Sequence, residues 1–285
     1  MYTPSEIRLT KDHKYLLASI SSTELYGSRE KTTGWGVESS VCNDIIIWDF
    51  ATEKKLYTLS GHTGNITNMI ESKSGKYLYT SSNDGTIRIW DICSGECTRI
   101  IETGMGKIFT MVLSHTKNEI LYSCIDSENK KHICVLDIEN YTTKDLYGVE
   151  HAGSEICNTD DYIIVSGYGM NTISILSSTD YSIIRSFRTP CDITHVALSH
   201  DGKYMAAAGL NGTVYIYNMP DGGLIDNISN AGTNIEFSPT SNNFLTSDGK
   251  IYNITPLQTL INEAKKKYEG KSLTDEDRKK YYLEM

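Results

Sequence analysis

Residues 82–91 read SNDGTIRIWD. Asp84-Gly85 is a turn signal, the alternation Thr86-Ile87-Arg88-Ile89-Trp90 is that of a strand with one face buried, and Asp91 closes the run. Working outward, KYLYTSS (76–82) supplies a preceding strand, ITNMIES (66–72) one before that, and CTRII (97–101) one after. Gly61-His62 stands ahead of the group. The stretch therefore predicts a unit of four short strands joined by tight turns.

The unit recurs. Runs equivalent to TIRIWD are DIIIWD (44–49), HICVLD (132–137), TISILS (172–177), TVYIYN (213–218) and KIYNI (250–254). Each is preceded by a second apolar run, such as KYLLASI (14–20), YIIVSGY (162–168) or KYMAAAG (203–209), and most are followed by a fourth strand. A period of about 40 residues marks a repeat architecture, in which one unit cannot bury its apolar faces alone.

Four short strands at this period, with Gly61-His62, the Ser81-to-Gly85 turn and Trp90-Asp91, resemble the WD-repeat β-propeller family. The resemblance spans residues 1–255, strongest in the second unit and reduced to strand periodicity in the third, fourth and sixth. It implies an all-β fold of about six four-stranded blades. It also implies a buried hydrogen-bonded chain made by His62, Ser81 or Ser82, Asp84 and Trp90, structural rather than catalytic. The last unit lacks a clear outer strand, so a six-bladed ring, an open ring and an incomplete seven-bladed propeller all remain open.

From Pro256 the period changes. Leu257, Leu260, Ile261, Ala264 and Tyr268 share a helical face that Gly270 ends, and Thr274 with Asp277 forms a capping-box pattern for a second helix. Residues 256–285 are thus expected to be a two-helix extension. Leu273, Thr274, Glu276, Arg278 and Tyr281 resemble a signature in the tails of bacterial multidomain WD-repeat proteins.

A chain of 285 residues, 39% hydrophobic, can bury a core without metals or disulfides. Its net charge of −9 argues against general affinity for nucleic acid or anionic membrane, and no apolar run reaches the roughly 20 residues of a membrane span. The seven cysteines include no CxxC pair, which fits reduced thiols in a cytoplasmic protein and no metal site. No G-x-S-x-G, HExxH or P-loop motif occurs, and no histidine forms a local motif with paired carboxylates. An enzyme and a cofactor are not expected.

In the resembled family, the turns joining second to third strands mark the usual binding face. The first unit carries its insertion there, residues 21–43, with Tyr26, Arg29 and Trp35, residue types enriched at binding hot spots. Trp35 tucked back onto the first blade is the equal alternative. The same face is expected to carry Thr63, Asn65, Asn83, Met105, Lys107, Tyr168, Met170, Asp192 and Leu210, although Met105 and Met170 would equally plug a central channel. The expectation is a non-enzymatic scaffold, sensor or adaptor that binds a protein partner, as a monomer or within a larger complex. It would serve as the recognition component of a bacterial signalling or defence system; the alternative is a propeller enzyme or small-ligand binder with a site in the channel.

Overall fold

A computed structural model describes residues 4–20, 43–146, 155–167 and 171–254. The insertion 21–43 apart from Asn43, Tyr168, Met170 and the tail 256–285 lie outside the described residues. Six antiparallel sheets account for the secondary structure among the described residues.

Sheet one comprises β1 (Pro4–Leu9), β2 (Tyr15–Ile20), β3 (Asp44–Asp49) and β4 (Lys54–Leu59). Sheet two comprises β5 (Ile66–Glu71), β6 (Tyr77–Ser82), β7 (Thr86–Asp91) and β8 (Cys97–Glu102). Sheet three comprises β9 (Ile108–Leu113), β10 (Glu119–Ile125), β11 (Lys131–Asp137) and the short β12 (Thr143–Asp145). Sheet four comprises β13 (Glu155–Asn158), β14 (Tyr162–Ser166), β15 (Thr172–Ser177) and β16 (Ile183–Arg188). Sheet five comprises β17 (Ile193–Leu198), β18 (Tyr204–Gly209), β19 (Val214–Asn218) and β20 (Leu224–Ile228). Sheet six has three strands among the described residues, β21 (Ile235–Phe237), β22 (Asn243–Thr246) and β23 (Ile251–Asn253).

The units repeat in their hydrogen bonds as well as in their strands. In every sheet the residue following the third strand donates its main-chain N–H to a carbonyl just before the second strand. The pairs are Phe50 to Lys14, Ile92 to Lys76, Ile138 to Asn118, Ser178 to Asp161, Met219 to Lys203 and Ile254 to Asn242. The turn between second and third strands is repeated too. Gly85 closes it on the Ser82 carbonyl at φ +81°, Gly212 on Gly209 at +75° and Gly249 on Thr246 at +80°. Sheet three places Asn129 there at φ +61°, the residue that after glycine best tolerates the left-handed region. At Gly85 the requirement is double, because a Cβ would also lie 2.7 Å from the Met105 carbonyl oxygen.

Alternation sends successive side chains of each strand to opposite neighbours. In sheet two, Leu78 and Trp90 face sheet one, where they join Tyr15, Leu17, Ile45 and Ile47. Tyr79, Ile87 and Ile89 face sheet three, against Ile108, Met111 and Tyr122. Three further shared clusters link sheets three with four, four with five, and five with six. Polar rims add cation–π contacts, with Arg99 lying 3.9 Å from the Tyr141 ring and Lys117 3.9 Å from the Tyr181 ring.

Trp90 is 2% exposed in the cluster shared by sheets one and two, whereas Ile100 on β8 is 48% exposed. Trp90→Ala is expected to cost about 3–5 kcal/mol and Ile100→Ala less than about 0.5 kcal/mol. Urea denaturation midpoints of the two variants measure the difference; equal shifts would refute the shared-cluster packing.

Candidate functional site

The turn edge of sheet two holds a buried polar chain. His62 Nδ1 lies 2.9 Å from Asp84 Oδ2, and His62 Nε2 lies 2.7 Å from Thr80 Oγ1. Trp90 Nε1 donates to the same Thr80 hydroxyl at 2.9 Å. Asp84 also accepts from the main-chain N–H groups of Thr63 (2.9 Å) and Thr86 (2.9 Å) and from the Thr86 hydroxyl (2.7 Å). Burial holds the His62 imidazole below its ordinary value, outweighing Asp84. Burial alone would raise the Asp84 carboxyl, but hydrogen bonds from Thr86, the Thr63 N–H and His62 prevail and set it at about 2.

A neutral His62 beside an ionised Asp84 fixes the tautomer. Nδ1–H donates to Asp84, so Nε2 accepts from Thr80, whose oxygen in turn accepts from Trp90. Every member is satisfied in one arrangement, as a buried network requires. Neither ring nitrogen has a lone pair or proton to offer a substrate, so the chain is structural.

The structure corrects the serine assignment. Neither Ser81 nor Ser82 links His62 to Trp90; Thr80 does. Ser81 has the opposite parity and pairs with Thr67 across the sheet at 3.0 Å, while the Ser82 Oγ accepts the Asp84 N–H at 3.1 Å. Parity across the hairpin, with Leu78 opposite Trp90 and Thr80 opposite Arg88, was the sequence signal that identifies Thr80 and Thr86.

A second polar cluster was not legible as a motif. His132, at the start of β11, sits between Asp126 in the β10–β11 turn (Nε2 to Oδ2, 3.1 Å) and Asp145 on β12 (Nδ1 to Oδ2, 2.8 Å). Burial works against the charge, but the two carboxylates win and raise the His132 pKa. Cys134 and Cys124 lie beside it, both buried, with sulfurs 3.7 Å apart. The histidine thus does meet a carboxylate pair, contrary to the local reading, because β12 brings in Asp145 from outside the hairpin. Among the described residues, no group of three or more metal-ligating side chains could hold a metal ion.

The proposed binding residues within the described part are tied together by the backbone. Asn83 donates its N–H to the Asn65 carbonyl (2.8 Å), and Leu210 to that of Asp192 (2.8 Å). Asp192 Oδ1 accepts from the Asn171 N–H of sheet four at 3.3 Å. Met105 and Lys107 enter β9 beside the turn of the preceding sheet, where the Thr103 hydroxyl donates to the Gly85 carbonyl at 2.7 Å. Thr63, Lys107 and Leu210 are exposed, and Asn65, Asn83, Met105 and Asp192 are half-buried. Tyr26, Arg29, Trp35, Tyr168 and Met170 fall outside the described residues.

The model of the WD domain, G-beta repeat, matches residues 53–91 and 181–218. These two segments match the WD repeat. It is similar to Protein tipD of Dictyostelium discoideum, 23% identical over 226 residues, covering 72% of this chain and 35% of that protein. It is also similar to Target of rapamycin complex subunit wat1 of Schizosaccharomyces pombe, 24% identical over 181 residues, covering 60% of this chain and 56% of that protein. A shorter likeness, 44% identical over 66 residues, links it to Cell division control protein 4 of Saccharomyces cerevisiae, covering 22% of this chain and 8% of that protein. The chain thus spans about a third of tipD and just over half of wat1.

Thr80→Val removes the hydroxyl shared by His62 and Trp90 and is expected to cost about 1–3 kcal/mol, with Ser81→Ala costing less; thermal melting ranks the two. A larger loss for Ser81→Ala would return the chain to the serine. The pH dependence has a definite sign. His62 is depressed in the fold, so its contribution is complete above the unfolded value near 6.5 and declines as pH falls below it. His62→Gln should therefore lose less stability than wild type between neutral and mildly acidic pH, measured by urea unfolding at each pH.

Proposed function

We propose that this chain is a non-enzymatic protein-interaction module, a scaffold or adaptor, that binds a protein partner on the edge bearing the turns between second and third strands. The supporting observation is the hydrogen-bonded coupling of those turns to the segments entering the first strands, through the backbone pairs Asn83–Asn65 and Leu210–Asp192 and the Asn171 N–H to the Asp192 carboxylate. Loops held this way lose little conformational entropy on binding, which favours affinity. Function in such folds is set by loops rather than by the scaffold. The relative wat1 is by its name a subunit of a complex, which agrees with this reading.

In finer detail, the proposal is a propeller of six blades with the tail 256–285 appended, located in the cytoplasm. The tail signature at Leu273, Thr274, Glu276, Arg278 and Tyr281 supports service beside separately encoded effectors of bacterial type.

The test is affinity capture from the native host with quantitative mass spectrometry. Wild type, Leu210→Glu, Lys107→Glu and a deletion of 21–43 are compared with Ile184→Glu on the exposed outer strand β16. A partner held by wild type and Ile184→Glu should be depleted at least about tenfold by the loop-edge variants, a loss of about 1.4 kcal/mol. Equal capture by all variants would refute this face as the binding surface.

A further inference from the structure

Sheet three is closed on its outer side by the shortest fourth strand in the molecule. β12 has three residues, whereas the fourth strands of sheets one, two, four and five have five or six. It pairs with β11 through Asp145 opposite Cys134, Lys144 opposite Val135 and Thr143 opposite Leu136. The Leu146 N–H continues the pairing to the Ile133 carbonyl at 2.8 Å, and the Leu146 side chain joins the cluster shared with sheet four. So short a ladder offers little backbone pairing, and such strands open at low free energy.

One side chain adds a tie. His132 Nδ1 meets Asp145 Oδ2 on β12 at 2.8 Å, and Nε2 meets Asp126 Oδ2 in the β10–β11 turn at 3.1 Å. Asp126 is fixed independently of the ring. Its Oδ1 accepts the N–H groups of Glu128 (2.8 Å) and Lys130 (2.9 Å), and its own N–H donates to the Lys130 carbonyl at 2.9 Å. Asp145 is held less firmly: beyond the ring, its carboxylate meets the Cys134 thiol at 4.0 Å.

A bridge of this form needs two protons. An imidazolium donates from both nitrogens, whereas a neutral ring donates from one and turns a lone pair towards the other carboxylate. In either tautomer the neutral ring holds the turn or the strand, but not both.

The groups facing the ring are few. Asp126 comes from the turn and Asp145 from β12. Cys134 lies two residues along β11, and Cys124 is the cross-strand partner of His132 on β10. Tyr122 and, from sheet two, Tyr79 with Ile87 and Ile101 complete the cluster that holds the two cysteines. Burial opposes the charge on the ring, but the two carboxylates prevail and raise its pKa. A group raised in the fold contributes stability that is complete below its unfolded value near 6.5 and is lost as pH rises through the folded value.

We propose that His132 is a proton-operated latch, which joins the β10–β11 turn to β12 while both ring nitrogens carry a proton and lets β12 open when one proton leaves. The turn belongs to the edge assigned to partner binding, but the latch stands whether or not that assignment holds.

NMR on the intact chain tests it by two readouts. The His132 ring should titrate above about 6.5, and Asp145→Asn should lower its midpoint. Amide exchange, corrected for the intrinsic effect of pH, reports opening of β12 relative to β16, a fourth strand of six residues. Between about pH 5.5 and about pH 8.5, that relative opening should rise at least about fivefold in wild type. In His132→Gln it should change by less than about twofold, since a glutamine carries no titrating proton. If His132→Gln disturbs the sheet, Asp145→Asn should flatten the same pH dependence. A ring that titrates at or below about 6.5 would overturn the proposal. So would opening of β12 that does not change with pH in wild type, or a pH dependence that survives in the variants.

Discussion

A sheet of three or four strands, each three to seven residues long, has two apolar faces and no interior of its own. Burying both faces takes a neighbour on each side, and this constraint governs the molecule. Leu78 and Trp90 are buried only because sheet one supplies Leu17, Ile45 and Ile47. Tyr79 and Ile89 are buried only because sheet three supplies Met111 and Tyr122. The stability of each unit is therefore held largely at its borders, as in other repeat proteins. Burial at roughly 25 cal/mol per Å2 of apolar surface is the main favourable term, and here most of it is shared between sheets.

The constraint also explains where polar chemistry is found. Inter-sheet space is apolar, so a polar side chain left unpaired there carries a desolvation cost. The His62–Asp84–Thr80–Trp90 chain meets that demand with one tautomer and no unused donor. Sheet three answers the same demand with different residues. Asp126 takes the turn position, His132 opens the third strand, and Asp145 on the fourth strand completes the pairing. The two imidazoles shift in opposite directions, downward at His62 where burial dominates and upward at His132 where two carboxylates dominate. Hydrogen bonds tether the described turns of the loop edge to the segments entering the first strands, while a cavity lies between the first strands themselves.

Much of this was legible in the chain. SNDGTIRIWD specified a hairpin because a turn signal and strict alternation coincide there, and the recurrence of its pattern gave the repeat. Strand positions follow from that period even in sheets three and four, where the motif itself has eroded. The candidate loop residues were legible as turn residues, and the structure adds the hydrogen bonds that tether Asn83 and Leu210. Thr80 was readable in principle from its parity with Trp90, whereas Ser81 drew attention by its place beside the turn.

What the sequence by itself determined was the repeating unit: strand, turn, strand, with glycine or asparagine at the position of positive φ. Those features are local, set by backbone sterics and side-chain alternation over a few residues. Tertiary structure alone decided which distant groups meet. Asp145 reaches His132 because β12 pairs with β11, and Asn68 and His195 line one cavity because first strands of different sheets converge. No local pattern encodes such encounters, since they depend on how whole sheets pack against one another.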